Sequence, residues 1–234
     1  MEEIFKNKIA LISGAGRGIG KEIALALAEA GALPILISRT ESELKDVVDY
    51  IKNKGQDADY FKCDIADEKQ IKELIKKIIN KYQKIDLLVN NAAIVGPKGK
   101  LEEVDLKQWQ AVFDINLTGT FILTKAAVEQ MKKNKGSTIL NIGGGKDVDF
   151  LLPYCLTKNA LSQFTKLLSE QLKIHNITVN EFNPGQQFKT KMAEGIWPDL
   201  NNLPEPYILR KPVLKALEQG LTGKTGQFYF YKND

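Results

Sequence analysis

Apolar runs of β-type residues alternate with helical patterns along most of the chain, and this order limits the possible folds more than any other feature. The runs at Lys8–Ser13, Leu33–Ser38 and Ile85–Asn90 are almost wholly apolar instead of alternating with polar residues. Strands of this kind are typical of a parallel sheet that helices cover on both faces. The sequence therefore predicts an α/β fold, a single doubly wound domain over residues 1–234 with a mainly parallel sheet of about seven strands.

Two local patterns concern the ends of helices. Thr40 and Glu43 have the spacing of a capping box at the start of a helix over about 41–54. A longer helical region is interrupted near Asn116–Gly119, ahead of the strand at Ser137–Ile142. We therefore expect the Thr40 side chain to cap its helix, and we expect a break in the longer helical region.

Composition and charge exclude several classes of function. Hydrophobic residues make up 43% of the chain and charged residues 26%, as in ordinary soluble proteins. The formal charge is +4 with lysines scattered among acidic residues, and the densest basic run, 132–135, is interpreted as a solvated loop. Cys63 and Cys155 have no paired spacing and there is one histidine, so neither a disulfide framework nor a metal site is expected.

No run of about 18 apolar residues is present, and the N-terminal apolar stretch is too short for a signal sequence. These features predict a reduced, cytoplasmic protein without a nucleic-acid or membrane partner.

A glycine-rich segment lies between the first predicted strand and the first long helix. Glycines there allow a tight turn and a close approach of backbone to a pyrophosphate, while the helix N-terminus attracts anions. The spacing Gly-x-x-x-Gly-x-Gly differs from the usual Gly-x-Gly-x-x-Gly fingerprint, and taken alone it also fits a structural turn. Its position favours dinucleotide binding in a Rossmann-like domain. The candidate cofactor-binding residues are Ser13, Gly14, Gly16, Arg17, Gly18, Ile19 and Gly20.

Together with this loop, five further motifs in the same order make the chain resemble the short-chain dehydrogenase/reductase family over most of its length. Ser13 stands where the family more often has threonine, and Ala93 stands where it has glycine. The five motifs are Cys63-Asp64-Ile65, Asn90-Asn91-Ala92-Ala93, Asn116, Tyr154-x-x-x-Lys158 and Asn183-Pro184-Gly185. The resemblance implies that Asp64 and Ile65 bind near the adenine and that Asn91, Ala92, Pro184 and Gly185 also contact the cofactor.

The second predicted strand ends at Ser38-Arg39, where an NAD-binding chain of this type is expected to carry a carboxylate. A guanidinium binds a 2′-phosphate in bidentate fashion, whereas a carboxylate repels it. With Arg17 in the glycine loop as a second cation, Ser38 and Arg39 predict a preference for NADP(H). The alternative is that Arg39 only caps the strand and Arg17 is solvated.

Tyr154 and Lys158 lie one helical turn apart, so they share a helix face. A tyrosine has an ordinary pKa near 10, and a neighbouring ammonium lowers that pKa by favouring the phenolate. The resemblance implies a reaction in which Tyr154 exchanges a proton with a carbonyl or alcohol oxygen while NADPH or NADP⁺ exchanges a hydride with the carbon. It also implies that Lys158 contacts the cofactor ribose and that Asn116 holds a water linking Lys158 to solvent.

The family's substrate-polarising serine is absent, because the fifth strand ends in Gly143-Gly144-Gly145. The loss of one oxyanion donor typically lowers the rate by about 100–1000-fold. A backbone N–H of the glycine run, a water or Lys146 are the alternatives for its replacement. Gly144→Ser is expected to raise turnover if the glycines only weaken an ordinary site.

The segment 186–209 is the candidate substrate lid, with Met192, Ile196 and Trp197 as its apolar side chains, although a subunit contact explains them equally well. The resemblance implies a small carbonyl or alcohol substrate and a homodimer or homotetramer. A catalytically impaired NADP(H)-binding sensor or scaffold is the alternative function, since the serine is missing. An epimerase or dehydratase is less compatible with the chain length.

Overall fold

In the computed structural model, which describes residues 2–134, 136–145 and 147–231 without the Glu2 side chain, the centre of the fold is a parallel sheet. Its order is β3-β2-β1-β4-β5-β6-β7, and every neighbouring pair is parallel. The strands are β1 Ile9–Ser13, β2 Leu33–Ser38, β3 Asp59–Lys62, β4 Leu87–Asn90, β5 Ser137–Ile142, β6 Ile177–Asn183 and β7 Phe228–Phe230. This doubly wound sheet confirms the predicted α/β fold.

Helices cover both faces of the sheet because successive strand residues point to opposite sides. The helices are α1 Glu2–Phe5, α2 Gly18–Glu29, α3 Glu41–Asn53, α4 Glu68–Tyr82, α5 Leu106–Phe113, α6 Thr120–Met131, α7 Leu152–Leu172, α8 Lys191–Glu194 and α9 Arg210–Leu221. In β1, Ala10 and Ile12 pack into the core under α2, α3 and α9, whereas Ile9 and Leu11 pack into the core under α4 and α6.

The interruption predicted near Asn116–Gly119 is a π-helical turn, Asp114–Gly119, which joins α5 to α6 without breaking the helical path. Such turns widen the helix by one residue and occur often at functional sites. The predicted capping box at Thr40 is wrong, because the Thr40 side chain makes no cap hydrogen bond. Glu43 bonds instead to Arg17, a partner that is distant in sequence.

One continuous helical stretch among the described residues, Leu106–Met131, is long and apolar enough to cross a membrane by length and composition alone. Counting uninterrupted apolar residues missed it because Asp114 and Lys125 lie within it. Leu123 and Met131 are fully buried in the core, and core helices pass the same test. The stretch is therefore weak evidence for a membrane span.

Candidate active site

The carboxyl ends of β1 and β4 form a rigid backbone cradle. Ser13 Oγ accepts hydrogen bonds from the backbone N–H groups of Asn91 and Ala92, both at 3.1 Å. Asn91 Nδ2 in turn donates to the carbonyl oxygens of Ser13 and Gly14, both at 3.0 Å. Gly14 has φ 65°, and a Cβ there would lie 2.8 Å from Ala92 Cα. The cradle therefore requires glycine at position 14 on both conformational and steric grounds.

The helix that follows the cradle presents a free N-terminus. Arg17 is the N-cap residue of α2 but supplies no side-chain cap, and the first turn contains no acidic residue. The first backbone N–H groups of α2 and its positive dipole end thus favour an anion at this point. A Cβ at Gly20 would overlap Gly14 O and Asn91 Nδ2, which explains the third glycine of the motif. The cradle and the helix N-terminus together fit a dinucleotide pyrophosphate.

A cavity of about 580 Å³ opens above these strand ends. All predicted site residues line it except Ser13, Gly20 and Asn116, which lie behind its wall. Pro184 and Gly185 border it after β6, and Asp64 and Ile65 border it after β3. A pocket of this size is usual for a small molecule or cofactor. The structure thus brings most of the sequence motifs to one place.

The two arginines predicted to select the cofactor differ in their surroundings. Arg17 Nη1 donates to Glu43 Oε1 at 2.8 Å, and Glu43 itself lines the cavity. A Cβ at Gly16 would lie 2.9 Å from Glu43 Cβ, so this glycine leaves room for the glutamate. Arg39 is exposed at the rim and makes no ion pair with any residue that the structure describes. Of these two arginines, Arg39 therefore has no carboxylate partner in the described part of the chain and is available to a phosphate, whereas Arg17 is paired with Glu43.

Tyr154 and Lys158 project from the first turns of α7, which carries Pro153 near its start. Lys158 Nζ donates to Ile142 O at 2.8 Å and lies 5.7 Å from the centre of the Tyr154 ring. Burial raises the pKa of Tyr154 to about 12 and lowers the pKa of Lys158 to about 8, against the opposing effect of the Glu181 carboxylate. The direction is opposite to the lowered tyrosine pKa expected from the sequence, because burial disfavours the charged phenolate.

Asn116 lies in the π-helical turn with its side-chain amide fully engaged. Its Oδ1 accepts from Ile94 N at 2.8 Å, and its Nδ2 donates to Ile94 O at 2.9 Å and to Thr157 Oγ1 at 3.1 Å. These bonds join the loop after β4 to helix α7, next to Lys158. Asn116 thus positions the walls of the site, while its role in holding a water stays a prediction.

The glycine run after β5 lies directly against the catalytic candidates. A Cβ at Gly144 would overlap the Tyr154 hydroxyl and lie 3.2 Å from Lys158 Cε, whereas a Cβ at Gly145 would meet only Val148 Cγ2 at 3.5 Å. Gly144 O also accepts a hydrogen bond from Asn183 Nδ2 at 3.1 Å. A serine at position 144 thus has no room beside Tyr154. Lys146, one expected replacement for the serine, lies outside the described residues.

Sequence reasoning missed three residues of the site. Thr157 holds Asn116, Glu43 holds Arg17, and Glu181 lies buried beside Lys158. The only signal for Glu181 is that it is the single charged residue in strand β6, whose sequence is ITVNEFN. Large apolar side chains also line the cavity, among them Leu151, Met192, Ile196, Trp197 and Phe230. The role of segment 186–209 as a substrate lid stays a prediction.

The sequence profile of the short chain dehydrogenase family matches residues 8–201. The chain belongs to the short-chain dehydrogenase family. It is 34% identical over 229 residues to an oxidoreductase of Thermotoga maritima that is named as uncharacterized, covering 97% of this chain and 88% of that protein. It is also 37% identical over 193 residues to a 3-oxoacyl-[acyl-carrier-protein] reductase of Synechocystis sp., covering 81% of this chain and 77% of the relative.

A crystal structure of a short chain dehydrogenase from Escherichia coli CFT073 complexed with NADPH superposes with a TM-score of 0.89 at 25% identity, covering 98% of both chains. A solved relative with the same fold as this short-chain dehydrogenase thus binds a nicotinamide cofactor. The site fits such a cofactor, because glycine at 14 and 20 lets the loop pack tightly against Asn91 and Ala92, while Gly18 and Ile19 of the first turn of α2 line the cavity.

Proposed function

We propose that this short-chain dehydrogenase is an NADP(H)-dependent oxidoreductase that interconverts a carbonyl compound and a secondary alcohol, with Tyr154 as general acid and base. The observation that carries the proposal is the placement of Tyr154 and Lys158 on the wall of the cavity that also contains the glycine cradle. The reductase from Synechocystis supports a carbonyl substrate. The direct test is NADPH oxidation against a panel of ketones and aldehydes, with Tyr154→Phe as the variant.

In the reductive direction, NADPH supplies a hydride to the carbonyl carbon when it is bound. Tyr154 donates its hydroxyl proton to the carbonyl oxygen as negative charge develops there. Burial keeps Tyr154 protonated, since its pKa is raised to about 12, so the residue is ready to act as the acid. The Lys158 ammonium then stabilises the phenolate that remains. Asn116 holds the adjoining loop and α7 in register during this transfer.

The alternative of an impaired sensor or scaffold rests on the missing serine. Gly144 leaves the space that the Tyr154 hydroxyl occupies. The missing serine therefore reflects different packing around Tyr154, and the proton donor itself is retained. Backbone N–H groups of the glycine run are candidates for the donor that polarises the substrate oxygen. We therefore favour the enzyme over the scaffold.

A preference for NADP(H) over NAD(H) forms part of the proposal and rests on Arg39. We expect Arg39→Asp to raise the dissociation constant of NADPH by about ten- to a hundredfold, because a hydrogen bond to a charged group contributes about 1.5–3 kcal/mol. The constant for NADH, which lacks the 2′-phosphate, is expected to change little. Fluorescence titration with both cofactors measures the two constants.

Glu43→Gln is the companion variant. It removes a carboxylate from the cavity wall and releases Arg17, so the affinity for NADPH is expected to rise relative to that for NADH. Equal losses of affinity for both cofactors in Arg39→Asp would contradict the preference for NADP(H).

The proposal also includes residues 186–209 as a substrate lid and a homodimer or homotetramer in the cytoplasm. Apolar lid side chains, among them Ile196 and Trp197, line the cavity. Large apolar side chains are exposed on the surface of the long helices, as expected where a second copy binds. They include Phe121 of α6 and Leu156 and Leu167 of α7.

A further inference from the structure

Glu181 is a buried acid on β6, the strand next to the edge strand β7, and its charge acts on Lys158 of the proposed catalytic pair. It lies on β6 opposite Asn141 of β5, and only 1% of its surface is exposed. Glutamate is rarely buried to this extent unless it has polar or charged partners. Glu181 lies two residues before Asn183, the first residue of the Asn183-Pro184-Gly185 turn that lines the cavity.

The Glu181 carboxylate lies between Ser162 and Gly143. Ser162 Oγ donates to Glu181 Oε2 at 2.6 Å, and Ser162 lies one helical turn after Lys158 on α7. On the other side, a Cβ at Gly143 would lie only 2.7 Å from Glu181 Oε1. The glycine at 143 therefore provides the space that the carboxylate occupies, and any side chain there would displace it.

The carboxylate acts on the buried Lys158. Lys158 Nζ bonds to Ile142 O, and Gly143, the next residue, contacts Glu181. The Lys158 ammonium and the Glu181 carboxylate thus both lie against the backbone at residues 142–143. Burial lowers the pKa of Lys158 to about 8, and the negative charge of Glu181 opposes that effect. The titratable groups that face Lys158 from the described part of the chain are Tyr154 on its own helix and Glu181 on β6.

We propose that Glu181 is a positioning residue for the catalytic pair. Ser162 holds the Glu181 carboxylate in the space left by Gly143, and this carboxylate keeps the Lys158 ammonium charged next to Tyr154. The proposal rests on the proposed function, because it assigns Glu181 a role in the same proton transfer. Glu181 itself does not line the cavity and acts only through Lys158.

The first test follows the Lys158 titration directly and needs no turnover. In protein labelled with ¹³C at lysine Cε, the NMR resonance of Lys158 is identified by its absence from Lys158→Met. Glu181→Gln, which keeps the shape but removes the charge, is expected to lower the midpoint of its titration by about one pH unit. Gly143→Ala is expected to lower it as well, because the added methyl group displaces the carboxylate.

Asp86→Asn is the matched control. Asp86 is another buried acid, 4% exposed, which accepts a hydrogen bond from Ile9 N at 2.8 Å and pairs with Lys84 at the amino end of the sheet. Its loss is expected to lower the melting temperature without moving the Lys158 midpoint. A midpoint in Glu181→Gln that equals the wild-type value would overturn the proposal, whatever the melting temperature does.

The second test is the pH profile of kcat. The ammonium form of Lys158 is the active one, and loss of the carboxylate lowers the lysine pKa, so the variant loses activity first on the alkaline side. At pH below both midpoints Glu181→Gln is expected to match wild type, and well above them its kcat is expected to be about tenfold lower. A loss that is independent of pH would show a merely structural role. If wild type itself turns over no carbonyl compound, the proposed function fails while the NMR titration still decides the role of Glu181.

Discussion

Tyr154→Phe is expected to lower the rate of NADPH-dependent carbonyl reduction by about 10²–10⁴-fold, the usual contribution of a general acid. The change removes only the hydroxyl that donates the proton and leaves the ring packed beside Lys158. The affinity for NADPH is therefore expected to stay close to that of wild type. Initial rates of NADPH oxidation and a fluorescence titration measure the two quantities.

Tyr229→Phe is the control for this variant. The Tyr229 hydroxyl is also buried and has no hydrogen-bond partner among the described residues, and the side chain does not line the cavity. Its loss is expected to leave turnover unchanged. The scaffold function would be favoured by a different result: wild type binds NADPH tightly, but no carbonyl compound of a broad panel gives turnover that is lost in Tyr154→Phe.

Gly144→Ser is expected to lower turnover by at least about 100-fold, because small displacements of a reacting group carry losses of that size. The serine Cβ would overlap the Tyr154 hydroxyl and lie 3.2 Å from Lys158 Cε, so the Tyr154 side chain would be displaced from its position. The gain in turnover that the family resemblance suggested is therefore not expected. Steady-state kinetics, with the melting temperature measured alongside, test the expectation.

Gly145→Ser separates the effect of space from the effect of adding a hydroxyl to the loop. A Cβ at Gly145 meets only Val148 Cγ2 at ordinary van der Waals distance, 3.5 Å. This variant is expected to keep most of its turnover. A higher kcat in Gly144→Ser than in wild type would show that the glycine backbone shifts to admit the side chain and that the site is of the ordinary family type.

The sheet and the cofactor cradle were predictable because local patterns encode them. Apolar strands such as Leu33–Ser38 identify a doubly covered sheet, and the glycines at 14 and 20 reflect backbone contacts that no side chain tolerates. The pair Tyr154 and Lys158 is likewise a spacing on one helix. Each of these features depends on residues close in sequence or on the order of motifs.

The interactions that tune the site were not predictable, since they join residues far apart in sequence. Arg17 pairs with Glu43, 26 positions away, and this contact depends on how α3 packs against the glycine loop. Glu181 faces Lys158 only because β5, β6 and α7 pack in one particular register. Burial then sets the Tyr154 pKa in the direction opposite to the one expected from Lys158 alone.

The adjacent glycines at 143 and 144 carry a consequence for the tolerance of this chain to change. Both positions reject larger residues, but each protects a different acid: the Glu181 carboxylate at 143 and the Tyr154 phenol at 144. A smaller residue at 181 would make alanine acceptable at 143, so those two sites are expected to vary together. No partner substitution relieves position 144 without removing the proton donor. The two neighbouring glycines thus differ in the substitutions they tolerate. Substitution at 143 depends on the residue at 181, whereas glycine at 144 is required by the proton donor Tyr154.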